Sequence, residues 1–390
     1  MADSKMELAA YAPLYTRTLR EDVIPFWLRH GIDREQGAYF TCLDRDGSVY
    51  DTTKFMWMQW RVVWMLAEMY NKLERNEEWL ALAANGLHFL QVHGRDDQGR
   101  YYFALARDGR PLVAPYSVFS ECFAVMGCAA YHRASGDPAA REEALRAFRG
   151  YLAREDRPKG EWTKEVPGGP AMRSLGFYMM KVNLQAVLEE NLGLADFRGD
   201  LLGTAEFVLD RFWNPELRVM FENVPEAGGF DLTSMAGRHL NPGHALEAMW
   251  FIMNTAAKAG RHDIVARAAE VVLAELEFGW DRKHGGLFYF MDALGKPHVE
   301  LQWDMKLWWV HNEALLAAAL AHRLTGRAEF ATWFRRLHDW TWTHFPDPQY
   351  GEWFGYLNRH GEPTHYLKGG KWKGFFHLPR MLLLMPEFLG

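Results

Sequence analysis

Cysteine is scarce in this chain of 390 residues, and long apolar runs and blocks of one charge are missing. The three cysteines, Cys42, Cys122 and Cys128, cannot form a disulfide framework, and their spacings match no zinc-binding pattern. No stretch approaches the roughly 20 apolar residues that span a bilayer, and the N-terminus lacks the apolar core of a signal peptide. We therefore expect a protein of the reduced cytoplasm that has no membrane association and no metal site.

Charge is close to balance, with 44 basic and 50 acidic residues and a formal net charge of −6. Because no basic block stands out, nucleic acid is not an expected partner. Neither a Gly-x-Ser-x-Gly motif nor a dinucleotide fingerprint is present. Aromatic residues make up 15% of the chain and include 17 Trp, which indicates a large packed core or a sugar-binding surface.

What the sequence does contain is an internal repeat, in which aromatic residues lie close to a glycine or a charged turn. Six aromatic anchors divide the chain into units of similar length, and each anchor is typical of a small hairpin. The anchors are Phe40, Phe103, Trp162, Phe221, Phe288 and Phe354.

Helical periodicity fills the segments between the anchors. One example is a face that repeats at i, i+4, i+7, i+11 and i+14, formed by Met56, Trp60, Val63, Ala67 and Tyr70. Each segment can hold two helices. The sequence therefore predicts an all-α fold, an (α/α)6 barrel with short β-hairpins in the inter-helix loops, as a single domain over residues 1–390.

Polar residues on the inner faces of such a barrel are the candidates for chemistry, and His244 is the first of them. Asn241 is a good N-cap and Pro242 suits the first helical position, so His244 falls in the first turn. A helix N-terminus disfavours an imidazolium, which predicts a neutral His244. Glu247, at i+3, lies on the same face. The alternative is a histidine that only packs at a helix start.

Charged residues at further apolar positions complete the candidate list. His377 and Arg380 are three residues apart and follow a basic glycine-rich loop, residues 368–374. Arg61, Glu121 and Glu313 lie on apolar helical faces, where an unpaired charge is costly. They indicate a polar cavity or, alternatively, buried ion pairs that hold the ring together. A sugar could stack on one of three tryptophans, or these could simply pack in the core: Trp303, Trp308 and Trp309.

Five segments together resemble the N-acyl-D-glucosamine 2-epimerase family, whose animal members are also called renin-binding proteins. The matching segments span nearly the whole chain and are residues 40–45, 241–250, 304–309, 350–357 and 368–380. The resemblance implies an (α/α)6 barrel, usually a homodimer, that interconverts N-acetyl-D-glucosamine and N-acetyl-D-mannosamine. It places the catalytic pair on His244 and His377. The residues that it places around the substrate are Arg61, Glu247, Glu313 and Arg380, and Trp303 is a further candidate.

The resemblance also implies ATP as an activator that is not consumed. Candidate cations for the nucleotide are Lys159, Lys164 and Arg173, and residues 368–374 are an alternative. Two positions depart from the family pattern: Gln302 stands where relatives carry glutamate, and Lys181 lies in a strip that lines the family's cavity. That strip lacks the histidine of the mannose isomerase and cellobiose epimerase branches, which favours the N-acyl sugar branch.

The expected mechanism opens the sugar ring, removes the C2 proton with one histidine and returns a proton from the other histidine on the opposite face. Arg61 and Arg380 are expected to stabilise the oxyanion, and Glu313 and Glu247 to orient the imidazoles. Three alternatives stay open. They are an aldose–ketose isomerase or disaccharide 2-epimerase of the same superfamily, an inverting glycosidase using Glu121 and Glu313, and a non-catalytic binding protein.

Overall fold

The protein is described by a computed structural model that covers residues 7–159, 161 and 171–390. Helices dominate this part of the chain, and none of them combines the length and apolar character needed to cross a bilayer. The helices are α1 (Ala12–Thr18), α2 (Ile24–His30), α3 (Met56–Lys72), α4 (Glu77–His93), α5 (Phe119–Ser135), α6 (Pro138–Leu152), α7 (Leu175–Leu192), α8 (Arg198–Arg211), α9 (Met235–Arg238), α10 (Pro242–Lys258), α11 (His262–Gly279), α12 (Trp308–Thr325), α13 (Ala328–His344) and α14 (His377–Leu389). A π-helical turn, Leu19–Val23, joins α1 to α2, and a 3₁₀ turn, Ala195–Phe197, precedes α8.

Six of these helices form an inner ring, in which α3, α5, α7, α10, α12 and α14 each contact the next and α14 returns to α3. The inner helices are buried on nearly all sides, and their sequences are correspondingly apolar around most of the helix surface. The outer helices are amphipathic and bury one stripe, as α13 does with Phe330, Phe334 and Leu337. The predicted (α/α)6 barrel is confirmed.

The chain closes its own ring, because the last inner helix packs against the first helix of the sequence. α14 contacts α1, whereas each of the other inner helices is followed in the chain by its outer partner. Tyr15 on α1 is fully buried in this contact region and hydrogen-bonds His338 of α13 at 2.8 Å. α1 and α14, from the two ends of the described chain, therefore form the sixth helix pair of the barrel.

Short strands lie in the loops: β1 (Cys42–Leu43), β2 (Val49–Asp51), β3 (Lys54–Phe55), β4 (Ala104–Leu105), β5 (Pro111–Val113), β6 (Met172–Ser174), β7 (Trp213–Asn214), β8 (Val219–Met220), β9 (Asn223–Pro225), β10 (His239–Leu240), β11 (Met291–Asp292), β12 (Lys306–Leu307) and β13 (Tyr356–Leu357). Three of the six predicted hairpins are present as strand pairs, β1–β2, β4–β5 and β7–β8. The anchors Phe288 and Phe354 directly follow isolated bridges instead, and Trp162 lies outside the described residues. Other antiparallel pairs, β3–β4, β6–β9, β10–β11 and β12–β13, join successive parts of the ring. The loop strands therefore link the units as well as forming hairpins within them.

Three copies of one buried ion-pair motif hold neighbouring units together. In each copy an aspartate binds a buried lysine and an arginine from the hairpin of the next unit, and both cations lie over an aromatic anchor of the repeat. The copies are Asp33–Lys54–Arg107 over Phe40, Asp281–Lys306–Arg359 over Phe288, and Asp347–Lys368–Arg45 over Phe354. The third copy joins the first unit to the last, so it closes the ring.

Candidate active site

Glu313 of α12 is the centre of a buried polar cluster inside the ring. One carboxylate oxygen is 2.8 Å from Nδ1 of His377 and accepts a hydrogen bond from Arg380 at 2.6 Å. The other oxygen accepts from the indole N–H of Trp250 at 2.8 Å. Glu313 has no solvent-exposed surface, so these partners offset the cost of burying its charge. They also fix the imidazole of His377 in one orientation.

Arg380 bridges the two glutamates on which the sequence analysis focused. Its Nη2 donates to Glu247 at 2.6 Å as well as to Glu313. The expectation that Glu247 orients an imidazole is therefore wrong, because its carboxylate contacts the guanidinium. His377 and Arg380 lie within the first four residues of α14, and their spacing of three residues brings both to Glu313.

His244 has a different carboxylate partner, Glu222. The histidine lies in the first turn of α10. As the sequence predicts, Asn241 caps this helix: its side-chain oxygen accepts a hydrogen bond from the backbone N–H of His244 at 3.2 Å. Nδ1 of His244 is 3.0 and 3.1 Å from the two carboxylate oxygens of Glu222. Glu222 is buried and lies between β8 and β9. Sequence analysis missed it, although it directly follows the aromatic anchor Phe221.

Trp309 connects the two histidines into one site. Its ring centroid is 5.4 Å from that of His244 and 5.6 Å from that of His377. Gly243 allows this approach, since a Cβ at that position would come within 2.6 Å of the Trp309 ring. The hydrogen bonds of both histidines to carboxylates use Nδ1. Among the described residues neither Nε2 has a hydrogen-bond partner, so each can bind a ligand.

The pKa values of the two imidazoles are shifted in opposite directions. Burial, together with the positive charges of Arg61 and Arg380, holds the pKa of His377 well below its ordinary value. Desolvation also opposes a charge on His244, but the adjacent carboxylate of Glu222 outweighs it and raises the pKa of His244. This direction runs against the expectation of a neutral His244, which took account of the helix N-terminus and not of the carboxylate of Glu222. The two shifts therefore favour the neutral form of His377 and the protonated form of His244.

Arg61 of α3 is a buried cation without a carboxylate partner among the residues described. Its guanidinium lies over three aromatic rings, at 4.8 Å from Trp57, 4.1 Å from Phe123 and 4.6 Å from Phe376. Its Nε is buried and has no hydrogen-bond acceptor in the described structure. Burial lowers the pKa of Arg61 to about 9, so the group is charged at neutral pH. It can offer hydrogen bonds to an anion.

The geometry disfavours two further uses of these carboxylates, a glycosidase pair and a metal site. The carboxylate of Glu121 points toward the outer helix α6. Its Oε1 is 3.1 Å from Nη1 of Arg154, which follows the end of α6, and its Cγ is near Gly150. It therefore does not oppose Glu313 as a glycosidase pair requires. Ligand atoms of Glu247, Glu313 and His377 lie within 4.8 Å of one another. Arg380, however, already supplies the positive charge that a metal ion would bring to these carboxylates.

Positions expected to line the cavity or contact the sugar lie elsewhere. Lys181 pairs with Asp200 of the outer helix α8 at 3.4 Å, which places it on the outer side of α7. Gln302 is exposed. The ring of Trp303 stacks on Phe288 at 5.7 Å, so it belongs to the surroundings of the second ion-pair motif.

The candidate phosphate-binding cations do not form a pocket in the described structure. Lys159 is exposed, Lys164 lies outside the described residues, and Arg173 binds Glu226 at 2.6 Å and Glu155 at 3.6 Å. The basic loop 368–374 is also not a free phosphate loop. Its Lys368 and Lys373 are buried in ion pairs with the carboxylates of Asp347 and Glu352.

This barrel, with two histidines and buried carboxylates at its centre, matches one known family of sugar-converting enzymes. The sequence model described as N-acylglucosamine 2-epimerase (GlcNAc 2-epimerase) matches residues 38–380, and the chain belongs to this family. The chain is 40% identical to the N-acylglucosamine 2-epimerase of Bos taurus over 400 residues, covering 100% of this chain and 93% of the relative. It is 37% identical to the human enzyme of the same name over 380 residues, covering 94% of this chain and 88% of the relative.

Solved structures show the same fold at lower identity. The cellobiose 2-epimerase of Bacillus thermoamylovorans superimposes with a TM-score of 0.81 at 19% identity, covering 97% of this chain and 99% of the other. The polar cluster described above therefore lies inside a barrel architecture that is shared well beyond close relatives.

Proposed function

We propose that this protein interconverts N-acetyl-D-glucosamine and N-acetyl-D-mannosamine by inverting C2 of the open-chain sugar. The observation that carries the proposal is the pair of imidazoles beside Trp309, one favouring the neutral and one the protonated form. Inversion at a carbon acid needs a base on one face and an acid on the other. The names of the relatives from Bos taurus and human support N-acyl sugars as the substrate class.

The C2 proton is acidic only while C1 is a carbonyl, so the enzyme acts on the ring-opened sugar. A neutral His377 removes the C2 proton through Nε2, because its Nδ1 is held by Glu313. Protonated His244 then delivers a proton from its Nε2 to the opposite face of C2, while Glu222 holds its Nδ1. The reverse reaction uses the same groups in exchanged roles.

Negative charge develops on O1 when the C2 proton leaves. Arg61 is the group that suits this oxygen, because it is charged, desolvated and without a carboxylate partner among the described residues. Arg380 is less free to do so, since both Glu247 and Glu313 accept its hydrogen bonds. Its role in the proposal is to hold Glu313 in place beside His377.

Proton NMR in D2O tests this proposal directly. N-acetylmannosamine is incubated with the protein, with and without ATP, and the spectra are followed with time. Appearance of N-acetylglucosamine carrying deuterium at C2 supports deprotonation and reprotonation there. Absence of turnover and exchange in both samples contradicts the N-acyl sugar assignment, and mannose and cellobiose then test the isomerase and disaccharide epimerase alternatives.

Three finer properties belong to the same proposal. We infer a homodimer, which sedimentation at several concentrations tests, and a cytoplasmic location, which the buried thiols of Cys42, Cys122 and Cys128 support. ATP as a non-consumed activator stays a prediction, because the described cations expected to bind it are exposed or already paired with carboxylates. The ATP-containing NMR sample tests it.

A further inference from the structure

A second pair of histidines lies next to the candidate active site. Nδ1 of His239 is 2.7 Å from Nε2 of His298, and both rings contact Phe290. His239 belongs to β10, directly before the Asn241 cap of the helix that carries His244. His298 comes from the loop that follows β11, which pairs with β10.

The backbone decides where the protons of this pair are. The amide N–H of Glu300 donates to Nδ1 of His298 at 3.0 Å. Nδ1 of His298 is therefore an acceptor without a proton, and its Nε2 carries the hydrogen. That hydrogen can only be donated to Nδ1 of His239, so the proton of His239 lies on Nε2. The pair is a directed chain of donors that ends at His239 Nε2–H.

This direction excludes a proton wire from solvent through His298. A relay needs each imidazole to accept a proton at one nitrogen and release one at the other. Nδ1 of His298 is blocked by the amide of Glu300, which does not give up its hydrogen. The arrangement instead fixes one tautomer of His239 and keeps the ring neutral. Burial and the neighbouring His298 also lower the pKa of His239, against the pull of Glu222.

The strand that carries this donor is joined to the candidate active site. The backbone carbonyl of His239 accepts from the N–H of Glu222 at 3.3 Å, and Glu222 is the carboxylate that binds His244. Among the residues described, no acceptor binds Nε2 of His239, although the ring is only partly exposed. A half-buried imidazole with a fixed, unused N–H is poised to bind an acceptor oxygen.

We propose that His239 is a further substrate-binding residue, whose Nε2–H donates to a neutral acceptor oxygen of the sugar, and that His298 is a positioning residue that fixes its tautomer. The acceptor is either the acyl carbonyl or a hydroxyl of the substrate. The inference rests on the proposed function, because it assigns a contact to the sugar that the two catalytic histidines convert.

Steady-state kinetics with N-acetylmannosamine test the assignment. His239→Phe keeps a ring but removes the donor, and we expect KM to rise about tenfold, as expected for the loss of one hydrogen bond, while kcat changes little. His239→Gln, which retains an N–H donor, should recover much of the loss. His298→Phe leaves His239 free to change tautomer and should raise KM by a smaller factor. His360→Phe is the matched control, since His360 forms a ring pair with His284 on another loop.

A substrate with a thioacetyl group distinguishes the two acceptors, because sulfur accepts hydrogen bonds weakly. If the acyl oxygen is the acceptor, the effect of His239→Phe shrinks with the thioacetyl sugar; if a hydroxyl accepts, the effect stays the same. An unchanged KM in His239→Phe, or a loss confined to kcat, overturns the inference. Should the wild type show no turnover, the proposed function fails instead. Calorimetric binding of N-acetylglucosamine to wild type and His239→Phe then still tests the contact.

Discussion

The surroundings of His377 and of His244 differ although both imidazoles contact the same tryptophan and both bind a carboxylate through Nδ1. His377 lies in a closed pocket next to two guanidinium groups, those of Arg61 and Arg380. His244 lies at a helix start, partly exposed, next to Glu222. The carboxylate of Glu313 is shared with Arg380, whereas that of Glu222 faces His244 alone among the ion pairs of the described residues.

Both imidazoles are desolvated, and the charges around them separate the directions of their pKa shifts: two arginines lower the pKa of His377, and carboxylates raise that of His244. A carboxylate already neutralised by an arginine orients the histidine but adds little charge to stabilise an imidazolium. An unshared carboxylate does both, and so it raises the pKa of His244. His244 and His377 thereby suit the separate acid and base roles that inversion needs.

Removing either imidazole is expected to have the largest effect. His377→Gln and His244→Gln should each lower kcat by about 10²–10⁴-fold, the usual contribution of a general acid or base. Rates of deuterium incorporation at C2 measure this, and thermal unfolding checks that the variants fold. Near-normal turnover in a folded variant contradicts the two-histidine mechanism.

Replacing Arg61 tests whether the charge next to His377 also acts on the substrate. Arg61→Met fills the aromatic cage without a charge, and kcat should fall by about 10²–10³-fold, as for the loss of an oxyanion-stabilising donor. The melting temperature should hold, because no ion pair of the described residues is broken. Arg61→Lys serves as the charge-retaining control, and equal activity of wild type and Arg61→Met rules out the oxyanion role.

Glu222→Gln removes the feature that most distinguishes the two histidines. The raised pKa of His244 should fall when the carboxylate charge is lost. The protonated form of His244 then disappears at lower pH, so the limb of the pH–kcat profile that reports this histidine moves to lower pH. A profile that keeps its position shows that Glu222 does not set the proton affinity of His244.

The smallest effect is expected for Glu247→Gln, compared with Glu313→Gln. Within the buried polar cluster, the carboxylate of Glu247 hydrogen-bonds only Arg380. In the Glu247→Gln variant the carboxylate of Glu313 still binds that arginine. The first substitution should lower kcat roughly threefold to tenfold, as for one hydrogen bond. Glu313→Gln disturbs His377, Arg380 and Trp250 together and should lower kcat far more. Equal losses in the two variants contradict the view that Glu313 is the centre of the cluster.

Much of the architecture is readable along the chain. Apolar periodicity within each segment and six aromatic anchors specify helix pairs in a ring, because these signals depend on neighbours a few residues apart. The N-cap at Asn241 and the spacing of His377 and Arg380 are local in the same sense, and the structure brings both histidines next to Trp309.

The sequence by itself thus determined the barrel, its six units and the residue types at its centre. Only the tertiary structure decided which charges meet: Glu222 with His244, Glu247 with Arg380, and Lys181 with Asp200 outside the cavity. It also decided that lysines of an apparently solvated loop are buried in the ion pairs that close the ring. The reason is that these partners are separated by about 20 residues or, for Glu247 and Arg380, by 133 residues, whereas helical periodicity records only neighbours a few residues apart.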